Sequence, residues 1–182
     1  MKIILGSKSP RRKEILSLMG YDFEVRISDK EEKINGNDPI EIVSNIAKQK
    51  ASNIKTGEDE LLICADTIVV LDKEILGKPT SSDDARRMIS TLQGKTHYVY
   101  TAVVLKSNKK TTSFVDKAEV AIKPMSANEI EAYIKTSEPY DKAGAYAIQG
   151  IFSKYISSFK GDYYTIMGLP KTKLEKELKN FI

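Results

Sequence analysis

Two groupings of side chains in this sequence could do chemistry. The first is Gly6-Ser7-Lys8-Ser9-Pro10-Arg11-Arg12-Lys13, which follows the short apolar run Ile3-Ile4-Leu5 and opens a helical pattern. The free N–H groups of a first helical turn, the Ser7 and Ser9 hydroxyls, and the Arg11 and Arg12 guanidinium forks all suit a phosphate. An ordinary helix start, with Ser9 as N-cap and Pro10 at the first position, accounts for the Ser-Pro pair. It does not account for the cations, which oppose a helix dipole that favours acids there. A negative partner supplied from outside is the expectation.

The second grouping is Asp66-Thr67, the only polar side chains between Leu61 and Leu71. A carboxylate on an otherwise apolar strand is costly unless it meets a cation, a metal or hydrogen-bond donors. Such an acid in a cleft is a candidate for catalysis; the alternative is a structural acid that caps a turn or pairs with an internal lysine. Lys78, held between Gly77 and Pro79, is placed to reach a phosphate, although Lys78, Lys50, Glu31 and Glu32 taken singly read as solvated surface charges.

Several familiar sites are excluded. Gly94-Lys95-Thr96 resembles the end of a P-loop, but Ile89 stands where that loop needs glycine, and no strand directly precedes it. One histidine, His97, and one cysteine, Cys64, cannot build a zinc cluster, and His97 inside a strand reads as a packing residue. No GxGxxG occurs, so a Rossmann dinucleotide site is unsupported.

At 182 residues, 41% hydrophobic and 30% charged, the chain is long and apolar enough for a substantial core and is neither disordered nor fibrous. Its net charge of +4 is compatible with nucleotide or nucleic-acid ligands but too small to argue for either. Cys64, within an apolar run, reads as a buried thiol with no intramolecular disulfide. No stretch approaches the length of a membrane span, and a cytoplasmic protein is expected.

The elements that must position these residues alternate in type. A first helix runs from about Pro10 to Met19, ended by Gly20, and Phe23 to Ile27 reads as a strand before an acidic loop with Glu31 and Glu32. Asp38-Pro39-Ile40-Glu41 opens a second helix. Leu61 to Leu71 is the densest β signal, broken near its middle by Asp66-Thr67, and Asp72-Lys73 turns into Glu74-Ile75-Leu76. A helix over Ser82 to Leu92 precedes two long strands, His97 to Lys106 and Thr111 to Ile122. Ser126 and Glu129 form a capping box for a helix through Ile134. Asp141 to Gly150, small and polar by turns, reads as a close-approach loop outside the core. Strands near Lys154 to Phe159 and Tyr163 to Ile166 follow. Pro170 then starts a last helix with Leu174, Leu178 and Phe181 on one stripe. Together these give an α/β fold around a mixed sheet, with no linker between separate domains.

Taken jointly, Ile4-Leu5-Gly6-Ser7-Lys8-Ser9-Pro10-Arg11-Arg12, Ala65-Asp66-Thr67-Ile68-Val69, Gly77-Lys78-Pro79, Asp141-Lys142-Ala143-Gly144-Ala145-Tyr146 and Gly168-Leu169-Pro170 resemble the Maf family. The resemblance covers nearly the whole chain and implies a single Maf-like domain over 1–182. It implies a mixed, largely antiparallel sheet flanked by helices, of the Maf/ITPase type, with two lobes around a deep cleft. The implied activity is hydrolysis of a nucleoside triphosphate to the monophosphate and pyrophosphate with a divalent cation, Mg²⁺ or Mn²⁺. Arg11, Thr67 and Gln149 match the branch that resembles dTTP/UTP pyrophosphatases, against the aromatic, Gln and Glu of the 7-methyl-GTP branch. Gly6, where Ala is usual, Lys8, where a small or neutral residue often sits, and Ala147, where Gly is common, depart from the pattern.

The resemblance assigns roles to residues. Asp66 would be the general base and a metal ligand, with Glu32 assisting at the cation. Ser7, Arg12, Lys50 and Lys78 would hold the phosphates, with Arg11 beside them, and Thr67 and Gln149 would read a pyrimidine. Homodimerisation is an expectation of the family alone; neither a membrane nor a nucleic acid is an expected partner. Two rival readings remain open: a house-cleaning pyrophosphatase for other non-standard nucleotides, and a nucleotide- or nucleic-acid-binding regulator of cell division.

Overall fold

The computed structural model describes residues 1–181. β1 (Lys2–Leu5) leads through α1 (Pro10–Leu18) to β2 (Phe23–Val25), and α2 (Pro39–Ser52) leads to β3 (Glu60–Leu71). β4 (Glu74–Leu76) turns back on β3, with Asp72 in the turn at φ 54°. Then come α3 (Ser82–Leu92), β5 (Thr96–Lys106), β6 (Thr111–Ile122), α4 (Ala127–Ile134), three short 3₁₀ turns, β7 (Ile156–Lys160), α5 (Tyr163–Met167) and α6 (Lys171–Leu178). The strands form one mixed sheet in the order β2-β1-β3-β5-β6-β7, with β4 paired to β3.

β1 runs parallel to both β2 and β3, with Leu5 opposite Val25 and Ile63. The order β2-β1-β3 therefore sends one crossover, through α1, to one side of β1, and the next, through α2, to the other side. Right-handed crossovers in opposite directions put the two helices on opposite faces, with the switch in strand order at β1, whose last residue Leu5 lies opposite Ile63 within β3.

Local chemistry sets the helix starts. Asp38 caps α2 by accepting from the Glu41 N–H, Ser81 caps α3 through the Asp84 N–H, and Ser126 with Glu129 completes the capping box of α4. Ser9 starts α1 as its N-cap residue, with no hydrogen bond from its own side chain to the first turn.

The chain divides into two compact units. The first comprises Met1–Thr67, Tyr100–Asp116 and the described residues from Tyr164 onward. Its core packs Ile4, Leu5, Ile15, Leu16, Val43, Leu62, Leu105 and Leu174, all buried. The second comprises Ile68–Val99 and Lys117–Tyr163. Its core joins Leu76, Ile89 and Leu92 to an aromatic cluster in which the Phe152 ring lies 4.9 to 5.4 Å from those of Tyr133, Tyr146 and Tyr155.

Four local expectations change. β3 passes through Asp66-Thr67 unbroken, because both side chains find polar partners without leaving the strand. Tyr163 to Ile166 forms helix α5; aromatic and β-branched residues favour strands, yet here Gly168, at φ 112°, closes a helical turn through bonds to the Tyr164 and Thr165 carbonyls. The segment before Gln149 is core, with Gly144 to Ile148 all buried. Gly144, at φ 69°, lies so near Val69 that a Cβ would come within 2.9 Å of its methyl. α6 ends at Leu178, so Phe181 lies beyond the helical stripe of Leu174 and Leu178, half-buried under the Lys110 ammonium, 4.9 Å from its ring centre.

Candidate functional site

In the first unit, the Gly6–Ser9 segment leads from the end of β1 into α1. Arg12, one turn into α1, is fixed on three sides. Its Nε donates to the Gly168 carbonyl at 2.8 Å, Nη1 to Ser7 Oγ at 3.2 Å and Nη2 to Thr67 Oγ1 at 3.1 Å. A guanidinium carries five N–H groups, so these bonds leave one on each terminal nitrogen for a further acceptor. Burial lowers the Arg12 pKa, and the charge of Asp66 counters that shift. Arg11 donates from Nε to the Met167 carbonyl at 3.2 Å. Ser7 is buried and also accepts from the Ser9 N–H, which ties the turn to the guanidinium it supports.

Successive strand residues face opposite sides of a sheet, and Asp66 and Thr67 find partners on different helices. Asp66 Oδ1 accepts from Lys50 Nζ of α2 at 2.6 Å. On the same face, two residues earlier, burial pushes the Cys64 thiol up to about 12, against the opposing fields of Lys50, Arg12 and Lys106. Cys64 is therefore an inert thiol within a cationic site. Its sulfur also explains Gly6, since a Cβ there would lie 2.3 Å from Sγ.

Thr67 opens a chain of hydroxyls that sequence reasoning missed. Thr67 Oγ1 lies 2.9 Å from Thr101 Oγ1, and Thr101 donates to the Thr165 carbonyl at 2.8 Å. A carbonyl can only accept, so the Thr101 proton is spent there and the Thr67 hydroxyl must donate to Thr101. Thr67 thus accepts from Arg12, with its proton turned away from it. Thr165 Oγ1 donates to Asp116 Oδ2 at 2.5 Å, and Lys173 Nζ pairs with Asp116 Oδ1 at 2.7 Å. In sequence, Thr101 is one threonine in a strand of β-branched residues, and nothing local marks it out.

Ser7, Arg12, Thr67, Lys50 and Asp66 are thus gathered by direct bonds into two linked groups of the first unit. Glu32, half-buried in the loop before α2, is close enough for its charge to act on Cys64. Lys78 and Gln149 belong to the second unit. Both are exposed, Lys78 after β4 and Gln149 just before the 3₁₀ turn Ile151–Tyr155. Among the described residues, no group of three or more His, Cys, Asp and Glu side chains gathers to hold a metal. The hard carboxylate oxygens of Asp66 and Glu32 still fit Mg²⁺ or Mn²⁺, because such ions commonly take only one or two protein carboxylates and complete their shells with water and substrate phosphate.

The fold is similar to that of two solved structures, the Ham1 protein of Staphylococcus aureus (TM-score 0.54, 11% identity, all of both chains) and a HAM1 protein from Coxiella burnetii (0.53, 13%, 99% of each). Curated relatives are far nearer in sequence. Proteins named dTTP/UTP pyrophosphatase from Bacillus cereus (strain ATCC 14579) and Bacillus cytotoxicus are 44% and 47% identical to this chain, covering 99% of it and 95% of their own lengths. A third of that name, from Bacillus anthracis (strain CDC 684), is 45% identical over the same shares. The family model described as Maf-like protein matches residues 2–181, and with it the chain belongs to the Maf family.

Proposed function

We propose that the protein hydrolyses dTTP and UTP to the nucleoside monophosphate and pyrophosphate. The observation that carries this reading is Arg12: a guanidinium tied on three sides, within the field of Asp66, one turn into the helix that follows β1. Relatives that bear the name of this activity support the substrate.

Asp66 takes a proton from water as its oxygen attacks the α-phosphorus. The bond from that phosphorus to the α–β bridging oxygen breaks, and pyrophosphate leaves with the bond pair. Arg11, Arg12, Lys50 and Lys78 offset the charge that grows on the phosphate oxygens, and Ser7 holds Arg12 for that purpose. Asp66 and Glu32 would hold a divalent cation which, when bound, supplies Lewis-acid stabilisation of the phosphates. Thr67, its proton committed to Thr101, offers only acceptor capacity. That polarity suits a donor such as the imide N–H shared by thymine and uracil. Gln149 has both a donor and an acceptor to offer a pyrimidine, and a base that leaves such groups unpaired is rejected.

The reaction belongs in the cytoplasm, where nucleoside triphosphates are made; no helix among the described residues is long and apolar enough to cross a membrane. The test is a substrate panel with Mg²⁺ and product identification. We expect dTTP and UTP well ahead of ATP, GTP and 7-methyl-GTP, with pyrophosphate released and turnover abolished by chelator. The reverse order overturns the base preference. Nucleic-acid binding with a steep salt slope and no turnover overturns the enzyme.

A further inference from the structure

We infer that Glu138 is a positioning residue for Gln149, the side chain that meets the base in the reading above, on which this inference rests. Gln149 is exposed, whereas the five residues before it, Gly144 to Ile148, are buried. It is the outward tip of a turn pinned on both flanks, and Glu138 is where the pins meet.

On the C-terminal flank, Glu138 Oε1 accepts from the Ile151 N–H at 2.7 Å and Oε2 from the Phe152 N–H at 3.0 Å. The carboxylate lies flat against Gly150, where a Cβ would come within 1.8 Å of Oε1. A side chain at the residue after Gln149 would have to displace that carboxylate. On the N-terminal flank, Tyr133 Oη lies 2.9 Å from the Ala145 carbonyl and 3.0 Å from Glu138 Oε2. Its single proton is shared between the turn and the acid. Ala145 is held at φ 63°, a strained conformation for a residue with a Cβ, and Tyr146 is fixed by its hydroxyl 2.7 Å from His97 Nε2.

This arrangement is more than helix capping. A carboxylate presents only acceptors, so it can receive both N–H groups and the tyrosine together. A carboxamide at the same place brings two N–H donors against N–H groups and keeps one acceptor oxygen. Glu138→Gln therefore conserves volume while loosening the backbone on one side of Gln149, which spreads the orientations of the Gln149 amide.

The test is a double-mutant cycle on base discrimination, measured as kcat/KM for UTP over GTP. In the wild type we expect a large ratio, which Gln149→Ala collapses. Glu138→Gln should lower the ratio about tenfold, roughly the worth of one good hydrogen bond, through KM for UTP with kcat within about twofold. In the Gln149→Ala background the same change should have no further effect on the ratio. A merely structural role predicts equal losses in both backgrounds, and that result overturns the inference. Should Glu138→Gln fail to fold, Tyr133→Phe removes one bond to the carboxylate and should show the same dependence on Gln149 with a smaller drop; independence from Gln149 would overturn it there. A wild type without UTP preference defeats the base reading as well, whereas preference lost in Gln149→Ala but kept in Glu138→Gln defeats only the role of Glu138.

Discussion

Lys50 Nζ lies 2.6 Å from Asp66 Oδ1, so an ammonium from α2 meets the carboxylate in the middle of β3, with side-chain exposures of only 25% and 16%. The pair answers the sequence-level question of how an acid survives on an apolar strand. In the proposed reaction the same carboxylate takes the proton from water.

Asp66→Asn keeps the shape of the site but removes the proposed base. Turnover should fall by at least about two orders of magnitude, the usual contribution of general acid–base catalysis, with the melting temperature little changed. Near-normal turnover would remove Asp66 from its role. Lys50→Met, by contrast, strands the carboxylate and should cost stability as well, about 1–3 kcal/mol in chemical denaturation.

Arg12→Lys preserves charge but cannot keep the three bonds to Gly168, Ser7 and Thr67 while still presenting two N–H groups. We expect kcat/KM to drop by about 10²-fold or more, with far-ultraviolet circular dichroism unchanged. Activity within a few-fold of wild type would show that charge alone suffices.

Gly6→Ala adds a methyl 2.3 Å from Cys64 Sγ between β1 and β3. Overpacking of this kind costs about 1–3 kcal/mol. Cys64→Ala should relieve it, so the double variant should be more stable than the sum of the single changes allows. Additive losses in urea would show that the clash is absorbed elsewhere.

His97 is fully buried, faces the Tyr146 hydroxyl through Nε2, and has no partner for Nδ1 among the described residues. Burial lowers its pKa from 6.5 to about 4. The unfolded chain therefore binds the proton first as pH falls. Stability from this group is complete above about pH 6.5 and is lost progressively toward pH 4, by up to about 3 kcal/mol. Wild type should lose more stability than His97→Gln between pH 7 and pH 4.5. Equal losses in the two would show that other groups set the acid limb.

The sequence alone determined what depends on neighbours along the chain: the capping residues of α2 and α4, the turn at Asp72, the buried thiol and the cationic turn after β1. These follow from local backbone and side-chain chemistry, which a few adjacent residues specify. The resemblance to the Maf family was equally legible, because its five short strings keep their order and spacing. Only the tertiary structure decided that Arg12 is tied by Gly168 and Thr67, that Thr101 sets the polarity of Thr67, and that Glu138 grips the turn after Gln149. Each of these joins residues far apart in sequence, through partners that no periodicity marks. Tyr163 to Ile166 carries strand propensity but is helical, because Thr165 anchors its hydroxyl on Asp116 and its carbonyl on Thr101. Long-range hydrogen bonds there outweigh a local preference worth only a fraction of a kcal/mol per residue, about 0.5 or less.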